Sequence, residues 1–174
     1  MISLQGEELL LRALEPTDLP FLYAVENDES FWEISSTTVP FSNYTLHDYL
    51  ENAHRDIYEV KQLRLVIVHR ETDRTIGLVD LFDFDPKHQR AGVGILIADP
   101  VDRGKGFAQE ALQMLCNYVQ RHLHLHQLYA NISEGNKASV RLFEKAGFAL
   151  AGTKKDWIFT DGAFKDEWLY QKLF

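Results

Sequence analysis

The stretch VGILIADPVDRGKGFAQEAL, Val93 to Leu112, decides how the rest of the chain is read. It starts as a run that is apolar on both faces, Ala91 to Ala98, which predicts a central strand covered on each side. Pro100 breaks the run. Arg103-Gly104-Lys105-Gly106 follows, and a helical pattern opens at Phe107 with a buried stripe of Phe107, Ala108, Ala111, Leu115 and Val119, extending to about His122. A glycine-rich turn between a strand and a helix lets the backbone approach an anion, and the helix start supplies free N–H groups. Two common phosphate loops fail on spacing. The dinucleotide fingerprint G-x-G-x-x-G has Gln109 where its third glycine belongs, and the string G-x-x-x-x-G-K-[ST] does not occur. What stands is R-x-x-G-x-A, carried by Arg103, Gly106 and Ala108.

Outward from that loop the chain reads as one domain of alternating elements. Before it come a strand from Glu8 to Leu14 and a helix capped by Thr17 and running to Glu26, with Leu19, Leu22, Tyr23 and Phe21 on its apolar face. Asn27 to Asn43 has no period and predicts a loop or broken helix. Thr45 with Asp48 predicts the cap of a helix reaching Val60. Strands follow at Leu63 to His69 and Thr75 to Asp85, joined by a polar turn. After the loop and its helix come a strand (Gln127 to Ile132) and a helix (Asn136 to Ala146, stopped by Gly147). The chain ends on two β runs, Phe148 to Phe159 and Ala163 to Leu173, around the hairpin turn Asp161-Gly162. The class is α/β with a mixed sheet.

Composition narrows the partners. There are 174 residues, and 26 acidic against 18 basic side chains give a net charge of −8. That balance argues against nucleic acid and favours cationic or neutral ligands. Cys116 is the only cysteine, at an apolar helical position, and reads as a core residue in a reducing compartment. No apolar run has the length of a membrane span, and the N-terminal residues lack a secretory pattern, so the expected location is the cytoplasm. Assembly into a homo-oligomer is left open. His122, His124 and His126 alternate as metal ligands on a strand would, but they suit a polar helix end better, and no metal is expected.

A second motif completes the pattern: NKASVRLFEKAGF, Asn136 to Phe148. With both motifs in order, the chain resembles the Gcn5-related N-acetyltransferase (GNAT) family, and the likeness covers essentially its whole length. GLVDLFD from Gly77 draws it towards the spermidine and ribosomal-protein acetyltransferase branch. The resemblance implies a single domain with a mainly antiparallel sheet, splayed between its fourth and fifth strands, and helices on both faces. It implies acetyl-CoA as co-substrate. The strand backbone at Ile95, Leu96 and Ile97 would hold the thioester arm, and one of its N–H groups would polarise the carbonyl under attack. Gly104, Lys105, Gly106, Phe107 and Ala108, with Arg103, would hold the pyrophosphate. Asn136 would bond the pantetheine arm, with Ser139 and Phe143 completing the second motif's contribution. Asn136 is also a natural helix cap.

The implied reaction is direct attack of a neutral primary amine on the thioester, which needs a proton acceptor and benefits from a proton donor for the departing thiolate. The family's usual residues are missing at two places. Phe143 stands where a tyrosine would donate, and Gly92 stands where the central strand often carries a glutamate. An acetyl-CoA-binding sensor or degenerate paralogue with little turnover is the alternative this keeps alive. Asp80 draws attention as an acid expected to share a strand face with Ile76, Leu78, Phe82 and Phe84. A bulge aside, Asp83 falls on the other face. Asp80 is the expected proton acceptor, unless it serves only as an arginine's partner. Asp83 and Glu33 are the expected binders of the amine's charge. With Glu26, Asp28, Glu29 and Asp85 they predict an electronegative mouth for a cationic acceptor, a polyamine or the amino terminus of a basic protein.

Overall fold

The computed structural model describes residues 4–174. Seven strands form one sheet: β1 (Leu9–Ala13), β2 (Leu63–His69), β3 (Arg74–Asp85), β4 (Arg90–Ile97), β5 (Gln127–Ser133), β6 (Ala149–Thr160) and β7 (Ala163–Leu173). Their spatial order is β1-β2-β3-β4-β5-β7-β6, and every neighbouring pair is antiparallel except β4 with β5. The parallel contact is short. Arg90, Ala91 and Gly92 pair with Gln127, Leu128 and Tyr129, and there the ladder stops. Beyond Gly92 the two strands diverge, which is the expected splay.

Among the described residues six α-helices flank the sheet: α1 (Leu19–Glu26), α2 (Trp32–Ser35), α3 (Asn43–Glu51), α4 (Ile57–Val60), α5 (Phe107–Tyr118) and α6 (Lys137–Lys145). On one face α5 and α6 bury Phe107, Leu112, Leu115, Phe143 and Ala146 against Val79, Leu81, Val93 and Ile132. On the other, α1 and α3 bury Leu22, Val25 and Leu46 against Val66, Val68 and Leu78. Each such side chain contributes about 1.5–3 kcal/mol when fully buried. Packing of this size holds α6, whose nine residues are too short to be stable alone. Asn136 caps it, its Oδ1 accepting the Ser139 N–H at 3.1 Å. The β6–β7 turn matches expectation: Asp161 and Gly162 both have positive φ, 50° and 77°, as a two-residue hairpin of this hand requires.

Several boundaries differ from the sequence reading, each for a local reason. Thr17 caps nothing. Pro16–Asp18 form a single 3₁₀ turn before α1, and Asp18 turns inward to a bidentate pair with Arg12 at 2.8 and 2.9 Å. Tyr23 is exposed, and Val25 takes the buried place on α1. Ser42, not Thr45, caps α3, and the expected single helix is two, because Asp56 caps a separate α4. The α5 pattern ends at Tyr118, and Val119–Leu123 wind as a π turn that closes on His124 in the left-handed region. The three histidines therefore share no strand face.

The alternation of β3 is broken twice. Ile76 is the extra residue where the register shifts against β2, and a second shift against β4 surrounds Asp83, whose φ is 49°. Ile76 and Phe84 consequently join Val79 and Leu81 in the core under α5 rather than sharing a face with Asp80. Cys116 is buried in the same core, which pushes its thiol up to about 11.

Asp18 is nearly inaccessible, and besides Arg12 it takes the Glu15 N–H at 2.8 Å. Burial opposes its charge, but those hydrogen bonds prevail and hold its carboxyl below the usual value. Its contribution to stability is therefore complete above the unfolded value near 3.9 and is lost as pH falls through the lower folded value. Asp18→Asn, which leaves Arg12 without its carboxylate, is expected to cost about 3 kcal/mol at neutral pH, read from urea unfolding. The gap from wild type should narrow below about pH 3.9.

Candidate active site

Where β4 leaves β5 the sheet opens into a cavity of about 550 Å³. One wall is β4 itself, Val93 to Leu96. The opposite wall is the end of β5 with Ile132 and Ser133, followed by Asn136, Ser139 and Phe143 of the second motif. From Val93 onward the edge of β4 that faces β5 has no strand partner. Backbone N–H and C=O groups in such a place need a hydrogen-bonding partner, so this edge can receive an extended chain as an added strand. Ile95 and Leu96 line the cavity. Ile97 is at the strand's end, beside the turn into the loop.

That turn, Pro100–Asp102, is capped by Asp99 and delivers the glycine loop to the start of α5. Gly104 and Gly106 have φ of 74° and 90°, conformations that side chains resist, and a Cβ on either would meet nothing within 4 Å. The loop surface is therefore open, with Gly106 at the N-cap of a twelve-residue helix. Phe107 is buried beneath it and Ala108 is half-buried. Arg103 and Lys105 differ in posture. Arg103 donates back to the Ile97 and Ala98 carbonyls at 3.3 and 3.2 Å and lies over the Phe31 ring, so it ties off the end of β4. Lys105 remains half-exposed, 3.9 Å from Asp102.

The far side of the cavity is ionic. Asp80 lines it, held by Arg64 of β2 through Nε to Oδ1 at 2.6 Å and Nη2 to Oδ2 at 3.1 Å. The same guanidinium reaches Glu26 at the end of α1. Burial works against the Arg64 charge, yet the Asp80 carboxylate raises its pKa further. Glu33 of α2 also lines the cavity and pairs with Lys165 of β7 at 3.1 Å. That hydrogen bond holds its carboxyl below the usual range. Glu167 pairs with Lys154. Four carboxylates and two cations thus line one space, with Lys165 just behind Glu33.

Asp83 is not brought to this group. The bulge places it in a second, shallower cavity of about 420 Å³ with Asp85, Arg90 and Gln127, where it accepts the Tyr129 hydroxyl at 3.4 Å. Asp85 there pairs with Arg90, and Asp28 is occupied in capping the Ser30 N–H. Of the predicted acids, then, Asp80, Glu33 and Glu26 meet and the others do not. Arg64, Glu167, Lys154 and Lys165 went unnoticed in the sequence. An arginine between Leu63 and Leu65 in an apolar strand was the available signal for Arg64, and its cross-strand register with Asp80 supplies the partner.

Gly92 is glycine for a steric reason. Ring atoms of Phe82 occupy the place its Cβ would take, and Phe82 stands edge-on to Tyr129 at 5.8 Å. No longer side chain fits there while Phe82 stays. Phe143 is buried against Phe148, with ring centroids 5.0 Å apart, and presents a hydrocarbon surface to the cavity.

The comparisons match this geometry. The acetyltransferase (GNAT) domain family matches residues 8–149. The chain belongs to that family. It is 31% identical over 164 residues to the spermidine N(1)-acetyltransferase of Vibrio cholerae, covering 92% of this chain and 90% of that protein. It is 39% identical to the ribosomal protein uS5-alanine N-acetyltransferase of Escherichia coli, but over only 64 residues, 37% of this chain and 33% of that one. The crystal structure of spermidine N-acetyltransferase from Vibrio cholerae in complex with CoA and spermine matches with a TM-score of 0.86 at 28% identity, over 97% of this chain and 96% of the other. The enzyme class is accordingly N-acetyltransferase. No helix of the described residues is long and apolar enough to cross a membrane.

The Phe82–Gly92 contact makes a direct prediction. Gly92→Ala forces the ring aside and should cost about 1–3 kcal/mol of stability. The Phe82→Ala, Gly92→Ala double variant should lose less than the two single losses added together, measured by thermal unfolding.

Proposed function

We propose that this chain transfers the acetyl group of acetyl-CoA to a primary amine that carries positive charge, by direct attack with no covalent enzyme intermediate. The observation that carries this reading is the unpaired edge of β4, running from the open glycine loop to the ionic cavity. The pyrophosphate suits the backbone N–H groups at Gly104 to Gly106, where the α5 dipole and the Lys105 charge favour an anion. The pantetheine arm suits the edge at Ile95 and Leu96, opposite Asn136 and Ser139. An N–H of that edge can stabilise the charge that develops on the thioester oxygen.

On the acceptor side, four carboxylates against two lining cations keep the cavity negative. The excess is smaller than a count of acids in the sequence suggests, because Arg64, Lys154 and Lys165 neutralise most of it. An ammonium group is still drawn in, and it must lose a proton before it attacks. Asp80 is our choice of proton acceptor, acting through water. Arg64 donates one hydrogen bond to each Asp80 oxygen, and a carboxylate retains further lone pairs. Glu33 binds the amine's charge in competition with Lys165, and Asp83, in the neighbouring cavity, is outside that step. With Phe143 apolar, the thiolate leaves unassisted by that residue and takes its proton from water. This is tolerable for a leaving group with an unperturbed pKa of about 8.5.

Two observations favour a second reading, an acetyl-CoA binder with little turnover: the hydrocarbon face of Phe143 and the Phe82 ring that fills the place beside Gly92. A thiol-release assay with DTNB separates the two. Wild type should release CoA with spermidine or a basic peptide, more slowly at high salt, and not with a neutral amino acid. Preference for the neutral amine without salt dependence would remove the electrostatic argument, and CoA binding without thiol release would favour the second reading.

Gly106→Glu puts a carboxylate and a strained φ at the anion site. It should abolish CoA binding in calorimetry while the fold persists. Asp80→Asn should lower kcat by about 10²–10⁴-fold. Undiminished turnover would assign Asp80 to structure alone.

A further inference from the structure

We propose that Asp102 is the positioning residue of the pyrophosphate loop, its buried carboxylate clamped by Arg74 so that Gly104 to Gly106 are held in one conformation. The inference rests on the acetyl-CoA reading above.

Two glycines give the loop little shape of its own. Both have positive φ, and the Cβ position of each opens onto space empty to 4 Å. Its conformation must be set at its two ends. At the far end the Glu110 N–H donates to the Gly106 carbonyl at 3.0 Å, the first hydrogen bond of α5. At the near end stands Asp102, the last residue of the 3₁₀ turn between β4 and the loop. Its side chain is 1% exposed, and both oxygens are taken by Arg74, Nη1 to Oδ2 and Nη2 to Oδ1, each at 2.8 Å. Arg74 is the first residue of β3, so the planar two-point contact fixes the loop to the sheet. The Asp102 N–H donates to the Asp99 carbonyl, and the Arg103 N–H to that of Pro100, which locks the turn on which the carboxylate sits.

The charge itself argues against a direct role in binding. A carboxylate close to an anion site repels the ligand unless another charge cancels it. Here the bidentate arginine does so, and Lys105 is 3.9 Å away. Asp102 acts through geometry: removing it frees Arg74 and loosens the turn. Electrostatics alone and positioning therefore predict opposite signs. Loss of a negative charge beside the site would tighten CoA binding, whereas loss of the clamp weakens it.

The test compares CoA with a donor that lacks the pyrophosphate. For Asp102→Asn, calorimetry with CoA should show Kd raised on the order of tenfold. Both kcat and KM for S-acetylpantetheine, which has the thioester arm but no pyrophosphate or nucleotide, should stay at wild-type values. Should that variant fail to fold, Arg74→Lys, at a half-exposed position, keeps the charge but not the two-point contact, and the same split between donors is expected. Tighter or unchanged CoA binding overturns the proposal, as does an equal loss with both donors, which would mark a general effect on stability. If wild type itself binds no CoA, the acetyl-CoA reading falls and this inference falls with it.

Discussion

Parallel pairing between β4 and β5 lasts for three residues and then ceases, and most of the functional architecture depends on that interruption. A strand in the middle of a sheet normally spends the hydrogen-bonding groups of both edges on its neighbours. β4 spends one edge on β3 as far as Ile97, while its other edge is paired only to Gly92. β5 does not follow it, and all seven of its residues run instead along β7 in antiparallel register. The fork therefore exposes backbone polar groups at the centre of the molecule. The sheet stays intact because α5 and α6 pack across the base of the fork on one face, with Phe107, Leu115 and Phe143 joined in one core.

Geometry on either side of the fork follows from which groups remain available. At its open end β4 runs into a turn tied down by Asp99, Asp102 and the backbone contacts of Arg103. Gly104 and Gly106 follow directly on that turn, with open space at both Cβ positions. At the other end, acids from α1, α2, β3 and β7 converge, and each brings or finds a cation. Four isolated carboxylates packed together would be costly, since burial disfavours charge and like charges repel. Pairing offsets the cost and leaves a modest negative excess in the cavity.

The departures from the family's usual chemistry have steric explanations as well. Phe82 and Gly92 form one fitted unit across adjacent strands, with Tyr129 edge-on to the same ring. Phe143 belongs as much to the core, against Phe148, as to the cavity. The carboxylate nearest the fork therefore comes from the β2–β3 side, where Arg64 holds Asp80, and not from β4.

Local chemistry alone determined a good deal. The apolar run of Ala91 to Ala98, the two glycines before Phe107, the Asn136 cap and the Asp161-Gly162 turn are each set by neighbours within a few residues, and all could be read directly. The paired motifs around Gly106 and Asn136 carried the family assignment. Tertiary structure decided whatever depended on distant partners. Asp18 left its expected helix because Arg12 on β1 offered two hydrogen bonds. Asp83 was already off the Asp80 face by alternation, and the register shift against β4 sets it beside Tyr129. Glu33 gained Lys165, 132 residues away in sequence. Periodicity reports which face a residue takes only while a strand keeps its register, and charge counts report a field only while the charges are unpaired. Both conditions are set by contacts between strands, which a one-dimensional pattern does not record.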